Sequence, residues 1–153
     1  MNKIFHKTVS TVFGLGMAPF APGTFGALGA VLFLYILKLT DTHLGITVYS
    51  ALIVALTLLG TWSTSHVIKE WGDDPSRVVV DEFVGLLIAI YLLPLSHMNI
   101  WGAFILFRFF DILKPLGIRY LDTRIKGAWG VMLDDALAGI YSFLVLYAIH
   151  TFF

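Results

Sequence analysis

The chain has 153 residues, of which 58% are hydrophobic and 13% charged, and its formal net charge is zero. Mean hydropathy is +0.87, whereas a soluble domain carries roughly 25% charged residues, so the composition describes an integral membrane protein of one domain, residues 1–153. A neutral chain projects no global field toward nucleic acid. The absence of cysteine excludes disulfides, thiolate metal sites and cysteine nucleophiles.

The N-terminal stretch MNKIFHKTVSTVFGLGMAPFAPGTFG carries Lys3 and Lys7 but no apolar core followed by a small-residue cleavage site. It reads as a retained cytoplasmic or interfacial segment and not as a signal peptide. Gly14-x-Gly16 is no dinucleotide fingerprint, because no strand precedes it and no βαβ unit follows. Pro22-Gly23 reads as a turn and Thr24 as the N-cap of the first span. Helix entry and a phosphate contact through free N–H groups and the Thr24 hydroxyl both fit this stretch.

Five apolar segments follow: about Phe25–Leu39, Gly45–Val67, Phe83–Leu95, Met98–Leu113 and Val131–Phe153. They predict an all-α, polytopic membrane bundle. Crossing the hydrocarbon takes roughly 20 residues, so the third is short by itself. Asp74 as N-cap and Pro75 as first helical residue would lengthen it to a helix reaching Leu93, about 28 Å long. Asp81 and Glu82 would then lie about two turns inside.

In the fourth segment Arg108, Asp111 and Lys114 recur every three residues on one broad helical face that Pro115 ends or kinks. A structural ion pair, Arg108 with Asp111, would account for that face taken alone. The fifth segment opens with Asp134-Asp135, which could simply cap a helix N-terminus. Adjacent helical residues point about 100° apart, so the two cannot face one partner equally. Gly130 and Gly139 are positions where another backbone or a ligand can come close.

Alternating the spans places Lys3, Lys7, Lys69, Arg77, Arg108, Lys114, Arg119, Arg124 and Lys126 on one face and leaves Lys38 near the other. The positive-inside rule makes the basic face cytoplasmic, with the N-terminus in and the C-terminus out. Asp81, Glu82, Asp111, Asp134 and Asp135 then share one depth on that side. A carboxylate deep in the bilayer costs at least about 2.5 kcal/mol, and five together repel unless a cation sits among them. All-oxygen donors suit Mg²⁺, Mn²⁺ or Ca²⁺. Arg108 and Lys114 beside such an ion point to a phosphate substrate, and a cleft at this face admits a phospholipid head group. His66-x-x-x-Glu70 has helical metal spacing but is a single pair, and His43, His97 and His150 fall near the far face.

Four segments, APFAPGTFGALG, DDPSRVVVDEFVG, FRFFDILKPLGI and GAWGVMLDDALAG, together resemble the bacterial phosphatidylglycerophosphatase A family. The resemblance implies a Mg²⁺-dependent inner-membrane phosphatase that removes the terminal phosphate of phosphatidylglycerophosphate. By position it implies Asp81, Glu82, Asp134 and Asp135 as catalytic residues and Glu82, Asp111, Asp134 and Asp135 as metal ligands. Arg108 and Lys114 become substrate partners, and Thr24 falls in the family's PGT turn. The chain departs from the family pattern at Leu116-Gly117, where a further proline is common, and at Gly72-Asp73, where a lysine often stands.

Both a metal-bound water and a carboxylate nucleophile remain open, the water being favoured, with Asp81 or Glu82 as base. A cation- or proton-coupled transporter built on the same carboxylates is the main rival. A nucleotide-dependent lipid-phosphate transferase and a purely structural subunit rank below it. Glycine-rich faces are compatible with a homo-oligomer.

Overall fold

The computed structural model describes residues 3–72, 75–115 and 117–152, the Asp122 side chain excepted. Seven α-helices follow in order: α1 Lys3–Ser10, α2 Pro22–Leu39, α3 Ile46–Trp71, α4 Val80–Ala89, α5 His97–Leu113, α6 Ile118–Arg124 and α7 Ala128–Phe152, with a 3₁₀ turn at Leu15–Met17. No strand occurs among the described residues. The five apolar segments are the helices α2, α3, α4, α5 and α7, so the all-α expectation holds.

By length and composition, three helices can cross a membrane: α2, α3 and α7, with 18, 26 and 25 residues. Helix α5 has 17 residues. Helix α4 has only 10, about 15 Å of rise, or half a bilayer core. The expected helix from Pro75 to Leu93 is therefore corrected at both ends; Asp74, its expected cap, lies outside the described residues.

The reason is visible in the backbone. The Val78 N–H bonds to the Pro75 carbonyl at 2.9 Å, closing a turn, and the Val79 N–H reaches across to the Ser10 carbonyl at 2.9 Å. Val79 is the N-cap, at φ −141°. Successive β-branched valines lose side-chain freedom in a helix, and here tertiary hydrogen bonds outcompete the helical ones. Asp81 and Glu82 consequently occupy the first turn of α4. The N-terminus of α2 is corrected too. Pro22 and Gly23 are helical, Ala21 is the N-cap, and Thr24 is the third helical residue. Proline suits the first helical position because its missing N–H has no intrahelical partner there.

Being short, α4 is enclosed. Val84, Leu86, Leu87 and Ala89 are buried among α2, α3, α5 and α7, with Phe107 of α5 and Ala138 of α7 completing the core. The outer faces carry exposed Leu32, Ile36, Val54, Leu58, Ile105 and Leu144, which suits a lipid-facing surface.

Two glycines set the closest approach. A methyl added to Gly139 would overlap the Gly85 carbonyl oxygen, and one added to Gly85 would strike the Phe107 ring and lie 2.8 Å from the Asp135 carbonyl oxygen. Helices α4 and α7 thus touch backbone to backbone, as only glycine permits.

One end of the bundle collects the charges. There Lys7 pairs with Glu70 where α3 ends, and Lys114 pairs with Asp134 where α5 meets α7. The opposite end carries few charges, among them Lys38 and Asp41, and is marked by the Tyr35 hydroxyl on His97 at 2.8 Å. Helix α6 lies in a stretch that reads as a loop, because among its described side chains only Ile118 gives it a deeply buried anchor.

Overpacking at the glycine contact is the first test. Gly139→Ala should cost about 1–3 kcal/mol, lowering the thermal midpoint of the detergent-purified protein by roughly 3–10 °C. Gly45→Ser, at a position open to space on all sides, should leave it unchanged.

Candidate active site

Asp81 and Gly85 are four residues apart on α4, and Asp135 and Gly139 are four apart on α7. In a helix such pairs lie on one face, one turn apart. The contact of Gly85 with Gly139 therefore sets Asp81 opposite Asp135 at the next turn toward the charged end. Glu82 points about 100° away, toward the start of α2. A methyl on Gly23 would collide with Glu82 Oε1 and lie 3.3 Å from Arg108 Nη1.

Asp81, Glu82 and Asp135 converge so closely that one carboxylate oxygen from each lies within 4.8 Å of the others. Asp81 and Asp135 are buried and Glu82 is half-buried. Asp81 Oδ1 and Glu82 Oε2 are shut from solvent with no hydrogen-bond partner among the described residues. None of the three forms an ion pair among the described residues, while Asp111 and Asp134 pair with Arg108 and Lys114 at 2.5 Å.

Adjacent residues on α7 thus take separate roles, Asp135 in the cluster and Asp134 on the lysine. Lys114, in the left-handed region at φ 47°, caps α5 and turns the chain out of the helix, as expected from Pro115. Thr24 stands in the first turn of α2, next to Gly23.

Magnitudes decide what this arrangement requires. Two carboxylates 4.8 Å apart repel by about 3.5 kcal/mol at an effective dielectric constant near 20. Three such pairs approach roughly 10 kcal/mol, comparable with the whole stability of a folded domain. The N-terminal dipole of α4 returns only about 0.3–1 kcal/mol per carboxylate. The cluster must therefore share protons or surround a cation. Its all-oxygen donors, two of them buried and unpartnered, fit a hard divalent cation.

Other sequence candidates do not join. Glu70 turns to Lys7 and Lys3, while His66 Nδ1 donates to the Trp62 carbonyl and the ring stacks on His6. His66 and Glu70 therefore form no metal pair. His43 bonds Asp41 and His97 bonds Tyr35, both at the far end. The positioning glycines Gly23 and Gly85 escaped sequence reasoning. The signal was present in the repeated Asp-x-x-x-Gly spacing of DEFVG and DALAG.

The fold and site define an all-helical membrane protein with buried acids and two basic side chains gathered at one bundle end. The comparisons with known proteins narrow it. Residues 8–150 match the phosphatidylglycerophosphatase A family, and the chain belongs to that family.

Over 144 residues it is 46% identical to a Bacteroides thetaiotaomicron protein named "Putative phosphatidylinositol-3-phosphatase", covering 90% of this chain and 89% of the relative. It is 41% identical to phosphatidylglycerophosphatase A of Haemophilus influenzae, covering 90% and 83% of the two chains. The Escherichia coli phosphatidylglycerophosphatase A is 36% identical, with 90% and 78% covered. No solved structure matches the chain.

The Arg108–Asp111 pair gives a second test. Arg108→Gln leaves Asp111 close to Asp135 with its charge unbalanced, and should destabilise by about 2–3 kcal/mol, below the full cost of breaking a wholly buried pair. Adding Asp111→Asn should recover most of the loss. Thermal unfolding of the single and double variants measures the coupling.

Proposed function

We propose that this chain hydrolyses the terminal phosphate monoester of phosphatidylglycerophosphate, giving phosphatidylglycerol and inorganic phosphate, at the cytoplasmic face of a bacterial inner membrane. The observation that carries the reading is the convergence of Asp81, Glu82 and Asp135 beside Arg108 and Lys114, in a chain of this family. Nine of the ten basic residues lie on segments at the site's end, which favours a cytoplasmic orientation. A transporter is disfavoured: after Asp135, α7 carries no Asp, Glu, Lys or Arg that could continue a path.

The roles follow from position. Arg108 and Lys114 hold the phosphoryl oxygens, exchanging part of their hold on Asp111 and Asp134 for the substrate. The first turn of α2, with Thr24, offers N–H groups and a hydroxyl to the same anion. Glu82 is the least buried of the three clustered acids and takes the proton of the attacking water. The water oxygen bonds to phosphorus, the bond from phosphorus to the glycerol oxygen breaks, and that oxygen leaves with a proton as the alcohol. Asp81 and Asp135, with Glu82, are the residues that would hold Mg²⁺. When bound, the ion supplies positive charge against the phosphoryl oxygens and offsets the repulsion among the acids. Asp111 and Asp134 support it from their pairs with Arg108 and Lys114.

The name of the Bacteroides relative favours a second substrate, an inositol lipid 3-phosphate, which is also a phosphate monoester. A panel separates the two. Purified protein is given phosphatidylglycerophosphate, phosphatidylinositol 3-phosphate and phosphatidic acid in detergent, with Mg²⁺ or with EDTA, and phosphate release is followed. Release should be fastest from phosphatidylglycerophosphate and stop in EDTA. Glu82→Gln should slow it by about 10²–10⁴-fold, the usual contribution of a general base. Faster turnover of the inositol lipid would reassign the substrate, and equal rates in EDTA would remove the metal.

A further inference from the structure

The catalytic reading leaves the junction of α1 with the end of α3 unused. A cavity of about 460 Å³ lies there, lined chiefly by Lys3, His6, Lys7, His66, Lys69 and Glu70. Three lysines and one carboxylate, Glu70, line it, and Lys7 reaches Glu70 at 2.5 Å and Lys3 at 4.0 Å. Trp71 stands beside them, with Lys7 at 5.4 Å and Arg77 at 5.8 Å from its ring centre. The surroundings are thus strongly cationic and carry a tryptophan, the residue that favours the membrane–water interface.

Helix α1 is built to hold this groove at a lipid surface. His6 and Ser10 are its buried side, and the His6 ring stacks on His66 at 4.1 Å, fixing α1 to α3. Burial, and after it the neighbouring His66, hold the His6 imidazole below the ordinary histidine range. The apolar side is exposed: Ile4 is 69% exposed, Phe5, which lies against His6 and Trp62, is 41% exposed, and Phe13 just beyond is 90% exposed. A short helix with exposed apolar side chains and clustered lysines is the pattern of a segment lying in the headgroup layer.

We propose that the groove between α1 and α3 is a second lipid site, separate from the acid cluster, that holds the head group of an anionic phospholipid. The acyl chains of that lipid lie along Ile4 and Phe5. Charge complementarity selects the occupant: a zwitterionic head group gains little from three lysines, whereas an anionic one gains about fivefold in affinity per lysine near the surface.

Purified full-length protein in neutral detergent with EDTA is titrated with dioctanoylphosphatidylserine, dioctanoylphosphatidylcholine or inorganic phosphate, and bound ligand is counted by native mass spectrometry. The serine lipid should bind best. The triple variant Lys3→Gln, Lys7→Gln, Lys69→Gln should weaken it on the order of a hundredfold and leave the choline lipid unaffected. Glu70→Gln, which frees Lys7, should tighten it severalfold. Glu82→Gln should change nothing, and the triple variant should still release phosphate from detergent-dispersed phosphatidylglycerophosphate within about twofold of the parent rate.

Several results would overturn the site. These are unchanged serine-lipid affinity in the triple variant, equal loss of both lipids, or inorganic phosphate binding as well with the same lysine dependence. Loss of binding in Glu82→Gln would place the lipid in the catalytic centre, and collapse of activity in the triple variant would assign the lysines to catalysis. Both overturn it as well.

Discussion

The backbone contact between Gly85 and Gly139 is the constraint on which the candidate centre depends. Helices packed through ordinary side chains stand 8–10 Å apart, and the short side chains of Asp81 and Asp135 have little reach to spare across such a gap. With glycine on both sides, α4 and α7 close until a backbone carbonyl fills the space a methyl would need. The acids one turn away then meet. Phe107, fully buried against Gly85, closes the third side and fixes α5 in register. That register carries Arg108, the next residue, to the rim where Glu82 and the start of α2 lie.

Electrostatics then sets the composition of the rim. Two of the five carboxylates are balanced within the protein, by Arg108 and Lys114. The three that are not balanced are the three that converge. Helix dipoles at the starts of α2 and α4 assist, but they offset only a small part of the repulsion. The excess of negative charge is therefore a stored demand for a cation, and the two paired bases are a stored supply of positive charge for an anion. A phosphate monoester accompanied by a divalent ion satisfies both, which is why a phosphatase reading accounts for more of the side chains than a structural one.

Much of this was open to sequence reasoning, for identifiable reasons. The apolar segments became helices because nothing else satisfies backbone groups in hydrocarbon, so α2, α3, α5 and α7 fell close to their expected bounds. The expected gathering of acids agrees with the convergence of Asp81, Glu82 and Asp135. What sequence reasoning got wrong were features set by distant contacts. The start of α4 at Val80 depends on a hydrogen bond to Ser10, seventy residues upstream. That Asp134 and Asp135 could not face one partner equally was legible, but that Lys114 takes the former is set by its left-handed cap. Thr24, which seemed a cap from its hydroxyl, is inside the helix because Pro22 starts it first.

The shortness of α4 follows from the same demands. A helix that crossed the whole bilayer would need an outward face clad in lipid, but Val84, Leu86, Leu87 and Ala89 are all enclosed by neighbours. Enclosure lets glycine stand at position 85 without exposing backbone to lipid. It also lets α4 begin level with the start of α2 and more than one turn inside the start of α7. Two helix N-termini and the acids of α7 thus share one depth. Lengthening α4 upstream to Pro75 would carry its first turn, and its free N–H groups, past that depth. It would also break the Val79–Ser10 bond that ties α1 to the bundle. The half-length helix and α1 are therefore parts of one arrangement: Val79, which α4 gives up, adds a backbone bond to the packing on α3 that holds α1 in place.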